Sequence, residues 1–221
     1  MNKIIILLLA LLSLSSIKAV EPDTLHRDRA YVNTIIERSR KITDKLEINS
    51  ATDKQAVTTL LANRYFQLND IYERRDSLLQ VLKADTSLSK EERAQRTKTI
   101  QDEKDAALYR THFAFPAALS LYLTEDQITA VKDGMTFGVV KVTYDSTLDM
   151  IPSLTEEEKA QILAWLIEAR EFAMDAESSN KKHEVFGKYK GRINNYLSKR
   201  GYNLVKEREE WYKRIKEREK K

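Results

Sequence analysis

The densest chemistry of this chain lies between Phe186 and Tyr202, where Lys188, Lys190, Arg192 and Lys199 interleave with Tyr189, Tyr196 and Tyr202. Flat aromatic faces beside cationic and amide groups suit sugars, whose rings need stacking surface and whose hydroxyls and uronate carboxylates need donors. In such a site Arg192 supplies the planar fork for a carboxylate, and Asn194 and Asn195 bridge hydroxyls. Trp165, Tyr189, Tyr144 and His183 complete the candidate ligand surface. The same spacing also describes an amphipathic helix with Ile193, Tyr196 and Leu197 in the core and its bases solvated.

A hydrolytic reading stands beside it. Glycoside hydrolysis uses two carboxyl groups roughly 5–10 Å apart. Asp145, Asp149 and Glu168 lie on or near the glycine-bearing stretch 134–151, although each serves equally well as surface solvation. His183-Glu184 lacks the second histidine that a zincin helix places four residues on. A three-histidine zinc site would need all of His26, His112 and His183, so neither a metal nor a cofactor is expected. Serine-hydrolase, phosphate-loop and dinucleotide signatures are missing. The absence of cysteine removes disulfides, thiolate metal sites, a cysteine nucleophile and a cysteine lipid anchor.

The elements that must position these groups read as helices. Charged residues form 33% of the chain and alternate in sign, while glycine and proline number only five and three. That combination predicts an all-α protein. With 38 basic against 34 acidic residues, the excess that a nucleic-acid partner requires is missing. An apolar run from Ile4 to Leu14 follows Met1-Asn2-Lys3 and precedes small residues, the pattern of a secretory signal peptide cleaved after Ala19. The expectation is therefore an exported protein, periplasmic or secreted, with no transmembrane anchor after cleavage. Residues 20–221 would form one helical domain, with long helices over 24–122 and a compact region over 123–221.

Within it, heptad-like spacing of Leu25, Val32, Ile35, Ser39, Ile42 and Leu46 predicts a first helix over 24–46. Thr52 with Gln55 opens a second, running unbroken to about residue 84 with Arg64 and Arg75 interrupting its apolar seam. These long helices should pack antiparallel, as a hairpin or bundle. Ser89 with Glu92 opens a third, which is polar almost all round. Pro116 predicts a break at Phe115, and 113–123 reads as core. Thr124 caps a short helix, and β-branched Val139, Val140, Val142 and Thr143 allow a small β element near 136–145. Three more helices follow, opened near Ser153 or Thr155, after Ser178-Ser179-Asn180, and at Leu204. Ile162, Trp165, Leu166, Ala169, Phe172 and Ala173 point inward on the first of them, and Gly201 ends the second.

Asp133-Gly134-Met135-Thr136-Phe137-Gly138-Val139-Val140, Leu148-Asp149-Met150-Ile151-Pro152 and the run Phe186 to Leu197 resemble an uncharacterised family of exported Bacteroidota proteins. The resemblance covers most of residues 110–215. It implies a companion of polysaccharide-degrading systems, pectin among the substrates, and transfers no catalytic residue. Leu123-Thr124-Glu125-Asp126-Gln127 and Leu154-Thr155-Glu156-Glu157-Glu158 also resemble the leucine-threonine-x-x-glutamine motif of small helical periplasmic chaperones. The second copy departs at Glu158, and both are ordinary capping boxes as well.

Three functions follow as expectations. The first is an exported non-catalytic binding or accessory protein, with an acidic glycan fragment or a secreted enzyme as partner. The alternatives are a carboxylate-based carbohydrate-active enzyme and a helical chaperone or envelope scaffold. The sequence leaves the oligomeric state open.

Overall fold

The computed structural model describes residues 20–220, and the proposed leader lies outside them. Side-chain caps define the helix starts. Asp28 accepts from the Tyr31 amide to open α1 (Arg29–Thr43), and Ser50, not Thr52, accepts from Asp53 to open α2 (Ala51–Ala84). At 34 residues α2 is a rod of about 50 Å. Full capping boxes open α3 (Lys90–His112) at Ser89/Glu92, α5 (Glu125–Met135) at Thr124/Gln127 and α7 (Glu156–Met174) at Thr155/Glu158. Each satisfies two backbone donors that the first helical turn leaves unpaired.

The remaining helices are α4 (Ala114–Leu119), α6 (Val139–Met150), α8 (Ser179–Lys199) and α9 (Leu204–Arg218). Gly201, at φ 94°, closes α8 as foreseen. The Tyr202 amide donates to the Leu197 carbonyl and the Gly201 amide to that of Ser198, the paired bonds of a Schellman end.

Four expectations change. No strand occurs among the described residues, and the β-branched run 139–143 is the start of α6. Val140 is buried against Ile151, Leu154 and Ile162, so tertiary packing overrides the local preference. The helix breaks at Phe113, and Phe115 is itself helical. Pro116 is the third residue of α4, in the first turn, where its missing N–H costs no intrahelical bond. Within 113–123 only Phe115, Leu119 and Leu123 are buried, and Phe172 on α7 is 62% exposed.

Two cores result. Ile42, Val57, Leu61, Phe115, Leu119, Val131 and Met135 join α1, α2, α4 and α5. Ile151, Ile162, Leu166, Phe186, Ile193 and Leu197 join α7 and α8 with the segment after α6. Helix α7 links them, because Met174 at its end belongs to the first core. Asp149 then anchors α9: it accepts from the Trp211 indole at 2.7 Å and pairs with Arg218 at 2.7 Å.

Helices α1 and α5 approach closely at Gly134. A Cβ built there falls 2.7 Å from Cγ2 of buried Ile42, a branched side chain with little room to yield. Gly134→Ala is expected to cost about 1–3 kcal/mol. Chemical denaturation should show the Gly134→Ala/Ile42→Ala pair less destabilised than the sum of its single variants.

Candidate functional site

A recess of about 1080 Å3 opens where α1, α2, the end of α5 and the α7–α8 turn converge. Its α1 wall carries Arg38 and Lys41, with Lys45 in the following turn; its α2 wall carries Tyr65, Asn69 and Tyr72. Spacings of three and four put the three bases on one side, next to buried Ile35 and Ile42. Among the described residues, none of these three bases has a carboxylate within ion-pair distance. The two acids of the lining, by contrast, are already matched: Asp133 accepts from Arg170 at 2.9 Å and Glu177 pairs with Arg75 at 2.7 Å. The cleft therefore presents a net positive field with its own acids neutralised.

Lys182, from the first turns of α8, forms part of the lining. It is 7% exposed, and its ammonium donates to the Met135 carbonyl at 2.9 Å and sits 5.7 Å from the Tyr65 ring centre. Burial, seconded by the Arg38 charge, lowers its pKa to about 8. Burial also pushes the Tyr65 and Tyr72 hydroxyls up to about 12, so both stay protonated donors at neutral pH.

The rim is built at some conformational cost. After the Thr136 C-cap of α5, Phe137 stands at φ 61° and Gly138 at φ 66°. The Gly138 amide donates to the Asp133 carbonyl at 2.8 Å, the long bond of a Schellman end, which leaves Phe137 in the left-handed position usually given to glycine. For a bulky L-residue that conformation costs about 1–2 kcal/mol. The ring is 56% exposed and stacks on His183, centroids 5.6 Å apart and planes 16° from parallel. A strained backbone thus holds a two-ring platform beside the cationic wall.

A buried ionic layer supports the cleft from behind. Arg64, 2% exposed, pairs with Asp175 at 2.5 Å and donates to Gln67 and the Thr111 hydroxyl. Asp175 also meets His112 Nδ1 at 2.8 Å, and its carbonyl accepts from Tyr72 at 2.8 Å. Lys132 pairs with Glu171 at 2.7 Å. The arginine that interrupts the α2 seam is therefore the centre of a charged cluster joining α2, α3 and α7.

The residues singled out from sequence divide between two places. Trp165, Glu168, Tyr189 and Arg192 meet on the α7–α8 face. The Arg192 guanidinium lies 4.5 Å from the Trp165 ring centre and 3.4 Å from Glu168, and Trp165 packs edge-on against Tyr196. Burial and the bond to Glu168 hold the Tyr189 hydroxyl above its ordinary range. Asn194 and Asn195 are exposed on α8, and Tyr144 packs partly buried against the second core. Of the seven ligand candidates, His183 stands apart on the cleft rim. Asp145 is exposed and paired with Lys141. The Arg218 and Trp211 hydrogen bonds hold Asp149 down to about 2. Among the described residues no group of three histidine or acidic side chains is arranged to hold a metal.

Sequence reasoning passed over Arg38, Lys41, Lys45, Tyr65 and Lys182. The stripe at 38, 41 and 45 was the available signal; the convergence of residues 31 to 182 on one recess was not.

Fold and cleft together define an all-α protein with a cationic, ring-lined recess. The chain belongs to the family described as "Protein of unknown function (DUF3826)", which matches residues 32–217 and so takes in Arg38, Lys41, Lys45, Tyr65, Tyr72, Phe137 and Lys182. Comparison with curated proteins finds no match.

Proposed function

We propose that this is an exported, non-catalytic binding protein whose cleft holds acidic glycan fragments. One observation carries the reading: Arg38, Lys41, Lys45 and Lys182 face a recess whose own carboxylates are already paired elsewhere. Groups in that state favour an anion from outside, and Arg38 offers a carboxylate the fork that lysine lacks. Tyr65, Tyr72 and Phe137 with His183 add the apolar faces that a sugar ring needs, and the Tyr65 hydroxyl adds a protonated donor. The volume suits an oligosaccharide rather than a small anion alone. The leader-like start and the resemblance to exported Bacteroidota companions of polysaccharide degradation support the same context.

Titration calorimetry with a short oligogalacturonide, against a neutral oligosaccharide of equal length, tests the proposal. The acidic ligand should bind with an affinity that falls as salt rises, and the neutral one should bind at least tenfold more weakly. Lys41→Glu/Lys45→Glu should weaken acidic binding at least tenfold. Phe137→Gly should also weaken it while raising stability. Equal binding of the two sugars would overturn the reading. Release of new reducing ends would move it to the carboxylate-based enzyme.

A further inference from the structure

A second surface lies away from the cleft, on the hairpin formed by α2 and α3. Hydrogen bonds and ion pairs made by residues 77–110 stay within the hairpin: Arg93 clasps the carbonyls of Leu82 and Asp85, and Lys98 pairs with Asp102. None of the 23 residues of α3 is buried. A helix that long with so little buried surface has a thin tertiary anchor for one facing water on its other sides. Two adjoining recesses of about 450 and 280 Å3 share Leu78 and Ile100 and form one groove along the seam between the helices. Its floor is aliphatic, from Ile71 through Leu78 and Ile100, and Val81 beside it is 70% exposed.

The charge on the groove edges says what fits. Arg74, Arg96 and Arg110 line it and are exposed, and none has a carboxylate within ion-pair distance among the described residues. Lys104 and Arg75 add further positive charge, each already matched by a carboxylate, and Glu103 and Asp85 are the acids of the lining. Arg96 and Arg110 lie fourteen residues apart on α3, a span of about 21 Å.

We propose that this groove docks an amphipathic helix of about four turns from a partner protein, with aliphatic residues at helical spacing on one face and carboxylates flanking them. The aliphatic face fills the seam between Ile71 and Val81, completing a three-helix layer. The flanking acids meet the three unmatched guanidiniums. This surface is independent of the cleft, so one chain can hold a ligand and a partner together.

The test uses the full mature chain and two synthetic helical peptides of eighteen residues. Both carry the same leucine stripe; one has glutamates at the flanking positions and the other lysines. Fluorescence anisotropy should show the glutamate peptide binding at least tenfold more tightly than the lysine peptide. Hydrogen exchange should show new protection confined to 71–110. The double reversal Arg96→Glu/Arg110→Glu touches only exposed side chains and should invert the preference, while oligogalacturonide binding stays unchanged. Equal affinity for both peptides, no saturable binding of the glutamate peptide, or protection elsewhere would overturn the proposal. So would concentration-dependent self-association that covers the hairpin, since the occupant would then be a second copy.

Discussion

Asp175→Ala is expected to destabilise the protein by about 3–5 kcal/mol, because it strands the Arg64 charge in the interior. Arg64 is 2% exposed, and its remaining acceptors, Gln67 and Thr111, are neutral. The same substitution removes the carboxylate that His112 contacts. For a domain of this size the loss corresponds to a fall in Tm of about 10 °C. Urea titration and calorimetry of the single variant measure it directly. Arg64→Met/Asp175→Ala replaces both charges with apolar groups and should recover most of the loss, since an isolated buried cation is the costly species. A single-variant loss below about 1 kcal/mol would show that water reaches Arg64 and that the cluster is not a buried one.

The second large effect is a pH dependence that Lys182 imposes. Its folded pKa of about 8 lies below the ordinary value of 10.5, and burial is the main cause. Between those values the unfolded chain keeps a proton that the folded chain has released, so stability rises with pH across the window. Below pH 8 both states hold the proton, and the penalty of burying the charge is felt in full. From pH 7 to 9.5 the wild-type chain should gain about 2 kcal/mol relative to Lys182→Met. Denaturant titrations of the two proteins at the two pH values isolate the Lys182 contribution, because the other titrating groups are common to both. A difference that stays flat with pH would place the Lys182 ammonium in contact with water. An anion bound in the cleft should raise the Lys182 pKa and so take up protons near pH 8 to 9, which calorimetry in buffers of different ionisation enthalpy detects.

Much of the helical framework could be read along the chain because its determinants are local. The boxes Ser89/Glu92, Thr124/Gln127 and Thr155/Glu158 each close within three residues, and Gly201 ends α8 through bonds to carbonyls three and five residues back. Errors arose where a local preference met a distant partner. Val139 to Thr143 favour a strand in isolation, yet Val140 packs into the core built by α7 and α8. Glu210 and Arg214 stand four apart on α9, a spacing that suits an ion pair, yet Arg214 reaches the carbonyls of Asp149 and Met150, and Glu210 pairs with Lys213.

The candidate site was legible only in fragments. Tyr189 and Arg192 stand three apart on α8, so helical periodicity puts them on one face, whereas Trp165 on α7 meets Arg192 only because the two helices pack together. Arg64 was visible as a charge on an apolar seam, but Asp175 stands 111 residues away, and nothing between them announces the pair. Phe137 looked like one more ring beside a glycine. Its significance comes from a left-handed backbone and the stack on His183, which exist only once α8 has packed beside the α5–α6 turn.

From sequence alone come the all-α class, most helix starts and the family to which the chain belongs. Capping, periodicity and composition act over three or four residues and hold in almost any surroundings. Tertiary structure decided which charges are buried, which acids are already matched and which cations face open space. Those properties depend on groups 30 to 150 residues apart converging on one recess, and on the desolvation that follows when they do.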